Sequence, residues 1–470
     1  MVFNSIEFAI FLPIVLLIYW RVGHKSQNRM LLAASYLFYG WWDYRFLGLL
    51  VLSTSIDYLV GLGLDRTQDD RRRKLMLLVS VVANLGILGF FKYFNFFADS
   101  TANLLRTFGL SADAPTLRII LPVGISFYTF QSMSYGFDVY RRRIPATRNV
   151  FDFALYVAYF PQLVAGPIER AAALLPQIEG PRRAPTQRQV ASALVLILLG
   201  FFKKVAIADV MAPIANAAFQ APAGSSSLGL LVGLYAFALQ IYGDFSGYTD
   251  IGRGASRLMG IELMENFNQP YLSRNITAFW RTWHVSLSSW LHDYLYIPLG
   301  GNRGGRVNTY RNLMVVMLLG GLWHGAAWTF VVWGGLHGIL LGAHRALGKY
   351  VPRGYQGRFR LKDIAPAILT FHLVAFTWIF FRADNLSSAF TYLGGLVSLQ
   401  AGFTNRDHVV LFVGAAICIF LLDIAQRNGA EHEVTLQWRP AWQGIAYGGL
   451  LLAVIAFSGG ALTPFIYFQF

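Results

Sequence analysis

Two histidines, His324 and His337, stand in LLGGLWHGAAWTFVVWGGLHG (Leu318–Gly338), with no other ionisable side chain near them in sequence. Ionisable groups in so apolar a setting are costly to bury in a bilayer, and by default they point to function. An imidazole titrates near neutrality, so it can take a proton from an attacking hydroxyl and return it to a leaving group. On one continuous helix, positions 324 and 337 would lie roughly 20 Å apart and on nearly opposite faces, too far to share a metal. Neither HEXXH nor paired cysteines occur, so no metal site is expected. A G-x-S-x-G elbow is also missing, and LGGNRGG (Leu299–Gly305) lacks the Lys-Ser/Thr of a phosphate-binding loop. For His324 two roles remain: proton transfer, or a hydrogen bond that pins a bend in the chain. For His337 packing is the simpler role.

A second group lies in FWRTWHVSLSSWLHDYLYIPLGG (Phe279–Gly301). Phe279, Trp283, Leu287, Trp290, Leu291 and Tyr294 recur at helical spacing, which suits a helix half-buried at a membrane interface. His284 and His292 would be roughly 12 Å apart along such a helix, again too far for one metal. Either this is an aromatic interface helix, or it rims a cytoplasmic opening with His284 pointing inward.

The elements that must hold these residues are set by the solvent. Of 470 residues 55% are hydrophobic and only 13% charged, against about a quarter charged in soluble domains. Mean hydropathy is +0.47. Long apolar runs recur from end to end, so the chain reads as an all-α polytopic membrane protein of about 11–12 transmembrane helices, one domain over 1–470. The run Ile6–Trp20 lacks a basic n-region and an A-x-A-like cleavage site, and reads as a retained helix rather than a signal peptide. The single cysteine, Cys418, excludes an intrachain disulfide and any multi-thiolate site.

The formal charge of +15 reads as loop charge rather than a nucleic-acid surface, because cytoplasmic loops of membrane proteins collect Lys and Arg. Positive residues gather in DRTQDDRRRK (Asp65–Lys74), YRRRIPATR (Tyr140–Arg148), Arg170–Arg188, Arg253–Arg311 and Arg345–Lys362. The stretches Ala98–Arg118 and Met211–Gly229 hold only Arg106 and Arg118 and read as outer loops. Phe153–Arg170, broken by Pro161, Gly166 and Pro167 and flanked by basic residues, reads as re-entrant. Lys203 and Lys204 conflict with this path, since they fall towards the outer end of a span. Asn312–Trp323 is too short to cross a core about 30 Å thick, which puts His324 at the bend between two inclined or shortened helices.

The sequence resembles the membrane-bound O-acyltransferase (MBOAT) family, in its bacterial AlgI-like branch. The resemblance runs through LPVGISFYTFQSMSYGFDVYR (Leu121–Arg141), YFPQLVAGPIER (Tyr159–Arg170), FKKVAIAD (Phe202–Asp209) and QIYGDFSGYTDIGRG (Gln240–Gly254). It continues in ENFNQPYLSRNITAFWRTWHVSLSSWLHDYLYIPLGG (Glu265–Gly301), GLWHGAAWTFVVWGGLHG (Gly321–Gly338) and WIFFRAD (Trp378–Asp384). It implies a ring of membrane helices around a central funnel, and an acyl group taken from a cytoplasmic thioester to a hydroxyl acceptor. The thioester, acetyl-CoA or an acyl carrier protein, is a co-substrate; no bound cofactor is implied. The family's W-H-G histidine matches His324, and its W-H-[IV]-S-L-S histidine matches His284. His324 is then the expected base, kept neutral by burial among Trp323, Trp328 and Trp333. His284 would position a substrate or relay a proton. Asp244, Tyr248 and Asp250 either line the pocket or hydrogen-bond helix to helix. Arg303 and Arg306 either grip donor phosphates or are ordinary loop charge. The resemblance further implies a multi-pass protein of the inner (plasma) membrane that hands acyl groups to a periplasmic or extracellular partner in polysaccharide O-acetylation.

Overall fold

The computed structural model describes residues 1–110, 113, 117–164, 166–348, 358–399, 401, 404–428, 431–459 and 464–468. Helices make up its regular structure, and there is no strand among the described residues. Two compact units form: Met1–Ala184 with Met259–Leu263, and Pro185–Leu258 with Met264–Phe470.

The first unit contains α1 (Ile6–Tyr19), α2 (His24–Gly40), α3 (Arg45–Arg66), α4 (Asp70–Thr107), α5 (Ile125–Tyr140), α6 (Val150–Leu163) and α7 (Ala171–Glu179). α4 carries a π-helical turn at Gly89–Tyr93 and runs on to Thr107, so much of the expected outer loop Ala98–Arg118 is helix. Residues 111–112 and 114–116 of that loop lie outside the described residues. α6 is too short for a crossing and breaks between Ala158 and Phe160. The freed Phe160 N–H donates to the Ser35 hydroxyl at 3.1 Å, and Gln131 and Gln162 both donate to the Tyr156 carbonyl. That is how irregular backbone is tolerated at depth: its polar groups find partners in the protein.

The second unit contains α8 (Gln187–Gln220), α9 (Ser227–Leu258), α10 (Ile276–Trp280), α11 (Val285–Leu291), α12 (Gly305–His324), α13 (Trp328–Ala346), α14 (Ile364–Arg382), α15 (Leu386–Val397), α16 (Arg406–Asn428) and α17 (Pro440–Phe457). α9 is buried along almost its whole length and is the core of this unit. Its small residues let α8 approach backbone to backbone: a Cβ on Gly247 would lie 2.7 Å from the Gly200 carbonyl oxygen. Beside this contact α8 bulges into a π-helix at Phe202–Ala208, which turns both Lys203 and Lys204 inward. Lys203 pairs with Asp250 at 2.8 Å, and Lys204 with Asp209 at 2.8 Å and Asp244 at 2.9 Å. The conflict between these lysines and the charge map is thereby resolved: they are buried partners of acids, not loop charge.

Seven helices among the described residues are long and apolar enough to cross a membrane: α3, α4, α8, α9, α16, α17 and Leu361–Arg382, which includes α14. α1, α6 and α15 are shorter apolar helices. The sequence-based path has more crossings because it counts short segments such as α1 and also the helices on either side of His324, which are long enough but less apolar.

Candidate active site

α12 begins after a turn in which Gly304 and Gly305 take positive φ, so it is 20 residues long rather than the dozen suggested by sequence. It stops at His324 because Gly325 turns to extended backbone. Only glycine fits at 325, where a Cβ would lie 2.0 Å from the Phe330 ring. The chain re-enters helix at Trp328, and α12 and α13 pack through Gly321 and Gly334, whose Cα atoms leave no space for a side chain. The bend expected at His324 is therefore present, with the imidazole at the very end of α12 and buried.

His284 sits in left-handed backbone, φ 44° and ψ 54°, a conformation that costs a non-glycine residue about 1–3 kcal/mol. Its surroundings enforce it. The Val285 N–H donates to the Asn266 carbonyl at 2.9 Å, while the Ser286 N–H and hydroxyl both donate to Asn266 Oδ1. This break corrects the single amphipathic helix expected over Phe279–Gly301: α10, α11 and a π-helical turn at His292–Tyr296 take its place. His284 points inward. The residue is fully buried, 0% exposed, with its ring 4.7 Å from Phe245 and 5.8 Å from Trp323. Burial pushes its imidazole down to about 3, so it is held neutral.

The two histidines meet. Their ring centroids are 6.2 Å apart. Around His324 stand Trp323 at 5.0 Å, Trp333 at 5.1 Å and Phe381 at 5.3 Å. Tyr467, near the C-terminus, faces both: its ring is 5.7 Å from His324 and 6.3 Å from His284. Sequence reasoning missed this tyrosine. It is fixed through its neighbour, whose N–H (Ile466) donates to Asp244 Oδ2 at 2.6 Å. Phe465 packs on Tyr248 at 4.5 Å, and the Lys204 ammonium lies over the Tyr248 ring at 5.8 Å. Asp244 therefore holds Lys204 with one oxygen and the C-terminal segment with the other.

The remaining candidates scatter. Trp323 is beside both imidazoles, but Trp328 is 55% exposed. The three-residue break after His324 resets the helical phase and swings Trp328 outward, so Trp333 takes the inner place. Asp250 is engaged by Lys203. Arg303 and Arg306 are exposed at the start of α12, roughly 27 Å along that helix from His324. His337 is buried apart from the pair. The Trp280 Nε1–H donates to its Nδ1 at 3.2 Å, and its Nε2 lies 2.9 Å from the Thr377 hydroxyl. Because Thr377 itself donates to the Val374 carbonyl, its oxygen accepts from Nε2–H. The imidazole is thus a neutral, fully engaged link between α10, α13 and α14.

The family model of the membrane-bound O-acyltransferases, MBOAT, matches residues 76–383. Over the full length of both chains, this one is 42% identical to a Pseudomonas putida protein named probable alginate O-acetylase AlgI. It is 38% identical to the peptidoglycan O-acetyltransferase of Helicobacter pylori, covering 100% of this chain and 98% of that one. A more distant relative, the teichoic acid D-alanyltransferase of Bacillus subtilis, is 27% identical over 57% of this chain and 70% of its own. A helical bundle with buried, facing histidines and this similarity over its whole length leave one assignment: the chain belongs to the membrane-bound O-acyltransferase family and is a multi-pass membrane O-acyltransferase.

Proposed function

We propose that the protein moves an acetyl group from a thioester on the cytoplasmic side, acetyl-CoA or an acyl carrier protein, to a hydroxyl, and that the destination is an alginate-like exopolysaccharide. The observation that carries this reading is the His284–His324 pair, 6.2 Å apart in a box of aromatic rings. A thioester carbonyl is already activated, so transfer needs a base, an oriented acceptor and the exclusion of water. His324 takes the acceptor proton as its oxygen attacks the carbonyl carbon. The C–S bond then breaks, and the thiolate leaves with the proton from the imidazolium. His284, neutral and clamped by Asn266, positions the substrate or passes the proton on. Trp323, Trp333, Phe381 and Tyr467 keep water away. Arg303 and Arg306 would meet the donor's phosphates at the far end of α12. The acceptor side is supplied by a periplasmic or extracellular acyltransferase partner, with the protein itself in the inner membrane.

The test is His324→Gln, which keeps much of the volume and some hydrogen bonding but cannot act as a base near neutral pH. Purified wild-type and variant proteins in vesicles receive labelled acetyl-CoA or labelled acetyl-carrier protein, together with de-acetylated alginate and extracts of the host periplasm. The variant should melt as wild type does while transfer falls by roughly two orders of magnitude or more. Near wild-type transfer would reduce His324 to a structural pin at a helix bend. Transfer to peptidoglycan but not to alginate would move the acceptor to the one named for the Helicobacter relative.

A further inference from the structure

In the first unit two adjoining cavities open where α3, α4 and α5 end or begin. One, of about 380 Å³, is lined by Asp70, Arg71, Arg73, Lys74, Tyr140 and Arg142. The other, of about 230 Å³, is lined by Asp65, Gln68, Arg73, Val139, Arg142, Arg143, Ile144 and Pro145. Arg73 and Arg142 border both. The larger holds four cations against one carboxylate, a field that selects an anion.

The site is built rather than merely charged. Arg73 is its fixed floor, only 4% exposed. Its guanidinium donates to the carbonyls of Leu64, Thr67, Val139 and Tyr140, joining the ends of α3 and α5, and it lies 5.7 Å over the Tyr140 ring. Arg142 takes positive φ, 57°, which again costs about 1–3 kcal/mol. That turn aims its side chain back across the cavity mouth, where it donates to Gln68 Oε1 at 2.9 Å. Among the described residues Arg71, Lys74 and Arg142 form no ion pair, whereas Arg72 and Arg143 are paired with Asp69 and Asp138. Three cations therefore converge on a cavity with no acid assigned to them.

The next turns of α4 identify the source of the anion. Directly after Lys74 come Leu75, Leu78, Val79 and Val82, all exposed, at the i, i+3, i+4, i+7 spacing of a single helix face. A basic cavity that opens onto an apolar stripe fits a molecule with a phosphate at one end and hydrocarbon at the other. Basic pockets between membrane helices bind anionic lipid headgroups in this way.

We infer that Arg71, Lys74 and Arg142, above the fixed charge of Arg73, form a phosphate-binding site for the headgroup of an anionic phospholipid, whose acyl chain lies along Leu75, Leu78, Val79 and Val82. The lipid occupies a site separate from the transfer chemistry and ties the α3–α4 and α5–α6 loops together.

The experiment uses the full-length protein in nanodiscs. One set contains phosphatidylcholine alone, a second contains one-fifth phosphatidylglycerol, and further samples in phosphatidylcholine receive inorganic phosphate or coenzyme A. Thermal unfolding and the lipids retained through delipidation are the readouts. Phosphatidylglycerol should raise Tm by about 3 °C or more and should be retained over phosphatidylcholine. Arg71→Gln/Lys74→Gln/Arg142→Gln should abolish both effects, while Arg21→Gln/Lys25→Gln/Arg439→Gln, which removes three exposed charges elsewhere, should keep them. Inorganic phosphate that competes with the phosphatidylglycerol effect supports the phosphate chemistry, and phosphate that reproduces the whole effect makes free phosphate the source. Equal retention of both lipids by wild type, selectivity that survives the cavity triple variant, or stabilisation by coenzyme A without phosphatidylglycerol would overturn the inference.

Discussion

Trp333 has a histidine on either side, His324 at 5.1 Å and His337 at 4.7 Å, and the two environments differ in kind. His337 is bound through both ring nitrogens, to Trp280 and Thr377, and its neutral form satisfies every group around it. That is an ordinary way to bury a polar ring, since the hydrogen bonds offset its desolvation. His324 instead faces a second histidine across 6.2 Å, at a helix end shaped by a glycine, and that second histidine is held in left-handed backbone by Asn266. A fold has no need to spend strain in order to bring two imidazoles together. Local strain that the surroundings over-determine clusters at functional sites, and that strain is what sets the pair apart from His337.

The largest expected effect tests whether His284 and His324 act as one unit. His284→Gln should lower transfer by roughly two orders of magnitude, and the double variant with His324→Gln should be little worse than either single one, because groups acting in a single step are not additive. Losses that multiply would mean the two rings serve separate steps.

Asp244 should show a smaller effect. Asp244→Asn leaves Lys204 with Asp209 alone and weakens the acceptor for the Ile466 N–H. Transfer should fall about tenfold, with a stability loss of about 1–3 kcal/mol. Asp209→Asn also disturbs Lys204 but leaves the C-terminal segment held, so it should lower Tm while transfer stays near wild type. Equal loss of transfer in both variants would make the triad a matter of stability alone. Tyr467→Phe, which keeps the ring packing, then separates the hydroxyl from the ring, and a change of less than about threefold would assign Tyr467 to walling off water.

Much of this arrangement is open to sequence reasoning, and the part that is not has physical causes. The bend at His324 is legible because the apolar run before it is short and glycine follows the histidine, and in the structure the missing Cβ of Gly325 makes room for the Phe330 ring. His324 is singled out by being ionisable among apolar neighbours and His284 by the resemblance of its Trp-His-Val-Ser-Leu-Ser string, yet their meeting is not legible. Forty residues separate them, and the left-handed turn that aims His284 is set by Asn266 rather than by any local preference of histidine. Lys203 and Lys204 are visible as a misfit, but a π-helical bulge decides which way they point, and their acids lie on other turns and helices. Tyr467 carries no signal at all. PFIYF (Pro464–Phe468) is an apolar string without periodicity, and the bond that holds it reaches back 222 residues to Asp244. Trp328 shows the converse error: proximity in sequence to His324 suggests contact, and the break in the helix undoes it.

The smallest expected effect on transfer is at His337. His337→Gln retains an amide that can accept from Trp280 and donate to Thr377, although its reach and planarity differ from those of the ring. The lost ring contacts, edge-on with Trp333 and stacked with Phe279, should cost stability by about 1–3 kcal/mol, read as a lower Tm. Trp333 also touches His324, so a slight shift of its indole could carry over, and transfer per folded molecule should still remain within about threefold of wild type. His337→Leu, which removes both hydrogen bonds and leaves the Thr377 and Trp280 groups without their partner, should be markedly less stable than the Gln variant. A His337→Gln protein that melts as wild type does but has lost transfer a hundredfold would break the distinction between the two environments, and would place His337 in the reaction with the other two.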